Sequence, residues 1–278
     1  MPANEAGSRP EPQSGEEAPP FDVSVAHPAR IYDYWLGGKD NFAADREAAR
    51  QVIEAMPGII PGVRAQRAFL GRAVRYLTSD AGIRQFLDIG TGLPAAGNTH
   101  EVSQRVAPES RIVYVDNDPM VLAHARALLT STREGACAYL EADLREFKEI
   151  LATAEATLDF SRPVAVVLLG VLQYVGDRDQ PAMIVDSLMT ACPPGSYLVL
   201  GQPAIDVEPA RMGQAVARTV NLLTAPATMR THDQILSFFG GLEMLEPGLV
   251  QLPHWRPDPT DPPVRGPVPF WCGAARKP

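Results

Sequence analysis

The chain has 278 residues, 45% of them hydrophobic, which is enough for one packed domain with appendages. Lys and Arg number 25 against 33 Asp and Glu, a net charge of -8, so a nucleic-acid partner held by phosphate contacts is disfavoured. Three cysteines stand far apart with no CxxC or Cys/His spacing, so no disulfide framework is implied and a zinc site is disfavoured, and the longest apolar run, Val164 to Leu172, is too short to span a bilayer.

Residues 1 to about 22 are rich in Pro, Glu, Ser and Gly and lack apolar periodicity, so a disordered tail is expected over 1–25. The N-terminus has no basic start and no apolar stretch, so no secretory signal is read and a cytoplasmic location is expected. Three helices are predicted next. Arg30 to Leu36 stops at Gly37-Gly38, and Phe42 to Met56 ends at Pro57-Gly58. Pro61 to Leu77 carries an apolar face of Val63, Phe69, Leu70, Val74 and Leu77. Together they suggest a helical cap over 26–82, ahead of a main domain over 83–278.

Strands and helices then alternate. Gln85 to Ile89 is an apolar run closed by Gly90-Thr91-Gly92. Asn98 to Val106 reads as a helix with Asn98 and Glu101 in capping-box positions. Arg111 to Val115 is a strand, and Asp118-Pro119 opens a helix striped by Val121, Leu122, Ala125, Leu128 and Leu129. Ala138 to Glu141, Val164 to Leu169 and Tyr197 to Leu200 are further strands; the second is a Val/Leu run of the kind covered on both faces. This alternation predicts a parallel α/β sheet. The last third breaks the pattern. It carries helices over Val207 to Leu223 and Thr231 to Phe239. Strand-like stretches Leu249 to Leu252 and Val268 to Ala274 follow, read as a closing antiparallel pair.

The chemistry gathers where strands end. The glycines after Ile89 allow a tight turn and close approach of a ligand to backbone N–H groups. Gly90, Gly92 and Ala95 also satisfy a relaxed dinucleotide pattern. Asp88, however, sits two residues before Gly90 at the end of a buried strand, where a carboxylate needs a partner. An ammonium would serve it and a pyrophosphate would be repelled. Asp116 ends the second strand, where an acid can accept both ribose hydroxyls. Asp143 follows the third, where an acid can accept from an adenine amine. Each acid alone also reads as a helix cap or a loop residue. All three together suit a ligand with an ammonium, a ribose diol and an adenine but no phosphate, as in S-adenosyl-L-methionine (SAM).

The ordered segments FLDIGTG, VYVDNDP, EADLRE and VAVVLLGVLQYV resemble the motif series of class I SAM-dependent methyltransferases. HPARIYDYWLGGKDNFAADR, FLDIGTGLPAAGNTHEV and VYVDNDPMVLAHARALL are similar to an actinobacterial S-adenosyl methyltransferase family long catalogued as a domain of unknown function. The resemblance implies a Rossmann-like, seven-stranded, mostly parallel sheet with the last strand antiparallel and helices on both faces. It implies that Asp88, Gly90 and Gly92 hold the methionine part. It puts Asp116 on the ribose, Asn117 beside the adenine, and Asp143 and Leu144 on the adenine amine and ring. Gly170 to Gln173 would line the methyl-donor end. The loop Leu93 to Gly97 is longer and poorer in glycine than the family pattern.

Arg30 to Asp45 packs aromatics, two glycines and Lys39 into a short stretch, read either as a lid or as an amphipathic helix with Tyr and Trp in the core. As a lid, Tyr32 or Lys39 could meet the cofactor carboxylate. The five histidines are scattered and none is singled out as a base; Tyr174 is the best placed polar candidate. No metal is called for. A methyl acceptor, expected to be a small molecule, would be selected by an insert around 202–230. The rival readings are a SAM-binding sensor without turnover and an NAD-dependent oxidoreductase.

Overall fold

The computed structural model describes residues 22–128, 130–261, 263–264 and 266–278. The expected tail up to residue 21 lies outside the described residues, as do Leu129 and the side chain of Leu128.

Helix α1 (Pro28–Leu36) begins with proline at its first turn, and His27 Nδ1 accepts from the Ala29 N–H at 3.3 Å. It stops at Gly37, whose φ of +85° is the left-handed conformation a glycine adopts without strain. Helix α2 (Ala43–Ala55) is fixed at its start by Asp45, whose Oδ2 accepts from the Phe42 N–H at 2.8 Å. Helix α3 (Ile59–Ser79) buries all five residues of the anticipated stripe. It does not stand apart from the sheet, because Phe69, Val74 and Leu77 share a core with Phe86, Ile112, Ala165 and Val167.

Strand β1 (Gln85–Ile89) has the predicted limits, set by the glycine turn that follows. Helix α4 (Thr99–Val106) follows it, then strand β2 (Arg111–Asp116), helix α5 (Pro119–Leu128) and strand β3 (Ala136–Glu141). Asp118 caps α5 through the Met120 N–H at 2.9 Å. The anticipated capping box at Asn98 does not form: its Oδ1 takes the Ala95 N–H and Arg67 instead, and no side-chain cap bond is made. Helix α6 (Phe147–Ala154), strand β4 (Ala165–Leu169), helix α7 (Pro181–Ala191) and strand β5 (Tyr197–Pro203) complete the parallel part. On β4, Val166 and Leu168 enter one core while Ala165 and Val167 enter the other, as expected for a strand covered on both faces. Helix α8 (Pro209–Thr219) is shorter than anticipated. Helix α9 (His232–Leu236) has the predicted Thr231/Gln234 capping box.

Three more strands follow, β6 (Glu243–Met244), β7 (Val250–Gln251) and β8 (Phe270–Arg276), and the strand order is β3-β2-β1-β4-β5-β8-β6, with β7 also paired to β8. Pairs among β1 to β5 are parallel, and β8 runs antiparallel to β5. The described residues thus form eight strands, not seven. The difference is local: β6 and β7 are two-residue strands sharing one edge of β8, the first opposite Arg276 and Ala275, the second opposite Cys272 and Trp271. They fill one strand position between them, so the mostly parallel Rossmann-like arrangement stands. No described helix is long and apolar enough to cross a membrane.

Candidate functional site

The parallel strands all point their C-terminal ends at one cavity of about 590 Å³, within the 300–1,000 Å³ usual for small-molecule sites. Tips of β1 and β2 form its floor with the loop after β4, and helices α1, α2, α3 and α8 close over it.

The first turn is tied to β2. Gly90 and Thr91 donate to the Val115 carbonyl at 2.8 and 3.3 Å. Gly90 has φ +76°, and a Cβ there would lie 2.5 Å from Val171 Cβ, so only glycine lets this turn approach the loop after β4. Gly92 (φ +65°) has open space where a Cβ would be. That opening leaves a cradle-like space over the turn.

Asp88 is buried and accepts from Thr99 Oγ1 at 2.5 Å. Burial pushes its carboxyl up to about 6, against the lowering effects of Thr99 and the Arg67 charge. Asp116 is likewise buried and accepts from the Gly92 N–H at 2.9 Å and the Asp118 N–H at 3.0 Å. Burial raises it to about 6 as well. Asn117 donates to Asp143 at 3.2 Å, joining the loops after β2 and β3. Asp143 also caps the turn Leu144–Glu146 through the Arg145 N–H at 2.9 Å and pairs with the Arg145 guanidinium at 2.7 Å. Leu144 is buried against the cavity. Gly170, at φ +73°, follows β4 and lies between two glutamines. Gln173 Nε2 donates to its carbonyl at 2.8 Å, and Gln66 Nε2 stands 2.8 Å from where its Cβ would be.

Tyr32 lines the cavity, but its hydroxyl donates to the Val63 carbonyl at 3.1 Å. Lys39 does not join the site: it is exposed and lies off the cavity wall. Asp33 is the cause, because its Oδ2 accepts from the Asp40 N–H at 3.0 Å and from Asn41 Nδ2 at 2.8 Å, curling the Gly37–Asn41 loop toward solvent. Tyr174 lines the cavity, yet burial pushes its phenol up to about 12. A phenol held there stays protonated at neutral pH.

Sequence reasoning passed over Gln66 and Arg67 of α3. Arg67 Nη2 donates to the Ala96 carbonyl and to Asn98 Oδ1, both at 3.1 Å, holding the loop after the glycine turn. Its Nε is buried without a partner. The readable signal was Gln66, a polar residue three positions after Val63 and four before Leu70 on the apolar stripe. Among the described residues no group of three or more His, Cys, Asp or Glu could hold a metal.

The geometry suits the group anticipated from the sequence. Two buried carboxylates and an incompletely paired guanidinium surround a glycine cradle, and such groups call for a zwitterionic, hydroxyl-bearing ligand. Comparison with known proteins agrees. A DUF574 family protein from Streptomyces avermitilis is 42% identical with a TM-score of 0.88, over 92% of this chain and 99% of that one. A candidate methyltransferase from Thermobifida fusca is 40% identical with a TM-score of 0.85, over 95% of this chain and 99% of that one. None of the curated protein sequences compared with it matches. The family model described as S-adenosyl methyltransferase matches residues 14–278, and the chain belongs to that SAM-dependent methyltransferase family.

Proposed function

We propose that this chain transfers the methyl group of SAM to a small-molecule acceptor seated in the apolar half of the cavity. The observation that carries the reading is the pairing of buried Asp88 and Asp116 with the Gly90–Gly92 turn in a single cavity. When bound, SAM supplies a methyl on a positively charged sulfur, an electrophile already activated.

The protein's part is placement. Asp88 receives the ammonium and Arg67 the carboxylate of the methionine end. Gly90 and Gly92 let the backbone come close beneath it. Asp116 accepts from the ribose hydroxyls; Asn117, Asp143 and Leu144 frame the adenine. Gly170 lies at the methyl end, where the absent Cβ lets the Gln66 amide approach. Holding two reactants in line and excluding water can contribute about 7–11 kcal/mol to the rate. In this reading, residues 26–82 are a cap that shapes the acceptor side, and 83–278 form the transferase domain with its variable insert around 202–230.

The test is thermal unfolding of the purified full chain with SAM, S-adenosylhomocysteine and NAD, beside a mass analysis of any co-purified ligand. Stabilisation by the two sulfur nucleosides alone supports the reading. Stabilisation by NAD alone returns the site to a dinucleotide, and tight SAM binding with no methyl transferred to any cell-extract fraction makes it a sensor.

A further inference from the structure

The acceptor half of the cavity has an unusual polarity. Helices α1, α2 and α8 contribute no charged side chain to its lining among the described residues. Trp35, Val52, Met56, Val63, Met212 and Phe270 are typical of its wall. Helix α3 contributes one cation, Arg67, and that is turned to the Ala95–Asn98 loop. An anion or a permanent cation would lose its water there with nothing in return.

Two polar side chains break this apolar surface at the methyl end. Gln66 and Gln173 are 5% and 6% exposed, and Oε1 of each is buried without a hydrogen-bond partner. Their amide orientations follow from their neighbours. Gln173 Nε2 faces the Gly170 carbonyl, which can only accept. The Tyr32 hydroxyl donates to the Val63 carbonyl, so toward Gln66 its oxygen acts as acceptor, and the Gln66 amide nitrogen takes that side. What remains over, among the described residues, is two carbonyl oxygens without a hydrogen-bond partner, the Gln173 amide also bonding the Tyr174 phenol. The terminal torsion of glutamine is soft, so each can turn to a ligand that supplies N–H groups.

We propose that the acceptor is an uncharged, mainly aromatic primary amine, its NH2 shared between Gln66 Oε1 and Gln173 Oε1. This rests on the transferase reading above. A hydroxyl brings one hydrogen and satisfies one amide; an NH2 brings two and satisfies both. It also leaves the nitrogen lone pair unengaged and aimed away from the two oxygens. That lone pair forms the new N–C bond while the C–S bond breaks and its electron pair returns to sulfur as a thioether. The resulting ammonium loses one proton to solvent water, giving the N-methylamine. No side-chain base enters before the methyl moves.

The experiment is calorimetric titration of the full-length protein saturated with S-adenosylhomocysteine, using three probes of one shape: 6-aminoquinoline, 6-hydroxyquinoline and quinoline-6-carboxylate. The amine is expected to bind at least tenfold more tightly than either of the others. Gln66→Leu and Gln173→Leu should each remove most of that preference, with circular dichroism and cooperative thermal unfolding reporting that the variants are folded. Equal or tighter binding of the hydroxyl or carboxylate probe to the unaltered protein overturns the acceptor assignment alone. Failure of S-adenosylhomocysteine to bind overturns the transferase reading, and the assignment with it.

Discussion

The main-chain N–H of Gly92 donates to Oδ2 of Asp116 across 2.9 Å, so the turn after β1 and the tip of β2 are one unit. Asp116 therefore shapes the turn and, in the proposed reading, also meets the ligand. Removing the carboxylate should affect both. A hydrogen bond to a charged group contributes about 1.5–3 kcal/mol, roughly one to two powers of ten in affinity. Asp116→Ala should bind S-adenosylhomocysteine about 10–100-fold more weakly by calorimetry. An unchanged affinity would remove Asp116 from the site.

The raised carboxyls set a pH dependence with opposite signs for fold and ligand. Asp88 and Asp116 each move from an ordinary 3.8 to about 6 because they are buried. A carboxyl raised on folding holds its proton more tightly in the folded chain. That contribution is complete below the unfolded value of about 4 and fades as pH rises through about 6. The ligand-free protein should thus lose stability from these two groups between about pH 4 and 7. S-adenosylhomocysteine affinity should rise as pH climbs through about 6, because an ammonium requires the carboxylate. Arg67 lowers the Asp88 value by its charge, so Arg67→Met should move the affinity midpoint upward. Affinity that falls with rising pH would contradict this account.

Gly90 and Gly92 share a left-handed backbone but differ in surroundings, which separates their roles. A Cβ at Gly90 would meet Val171 at 2.5 Å, whereas at Gly92 nothing lies within 4 Å. The left-handed conformation costs a β-carbon-bearing residue about 1–2 kcal/mol, and overpacking adds about 1–3. Gly90→Ala should lower unfolding free energy by about 2–5 kcal/mol in urea titrations, and Gly92→Ala by about 1–2. The second should nevertheless weaken S-adenosylhomocysteine binding at least tenfold, because its methyl enters the cradle.

Most of the sheet was readable because punctuation and burial coincide on it. The glycine turn fixes the end of β1, and the Val/Leu run of β4 is buried on both faces. Helices α6 and α7 were not assigned from the sequence. The first is eight residues long with Lys148 and Glu149 inside it, and the second follows a left-handed Gln180 that no pattern announces. Strand β6, two residues long, owes its existence to the β8 edge. The acids of the site were legible because strand ends converge in any parallel sheet. Lys39 misled because local composition says nothing of which way a loop curls, and Asp33 decides that. Gln66 and Arg67 sit on the helix that precedes β1, and only the tertiary packing of α3 brings them to Gly170 and Asn98.

Arg72 joins α3 to the Pro-rich segment before β8, and this joint should be worth more than its ion pair. Arg72 is 6% exposed; its Nε donates to the Trp255 carbonyl at 2.9 Å and its Nη2 to the Leu252 carbonyl at 2.7 Å. Trp255 is fully buried, edge-on to Phe69 with ring centroids 5.2 Å apart. Nη1 pairs with Asp261, which is a quarter exposed. Two buried bonds from a charged donor, at about 1.5–3 kcal/mol each, predict that Arg72→Met costs at least about 3 kcal/mol in urea unfolding. Asp261→Asn removes only a partly solvated partner and should cost about 0–1 kcal/mol. Limited proteolysis should cut the 253–267 segment faster in the first variant than in the second. If the two variants lose equal stability, the ion pair and not the carbonyl grip holds this segment to α3.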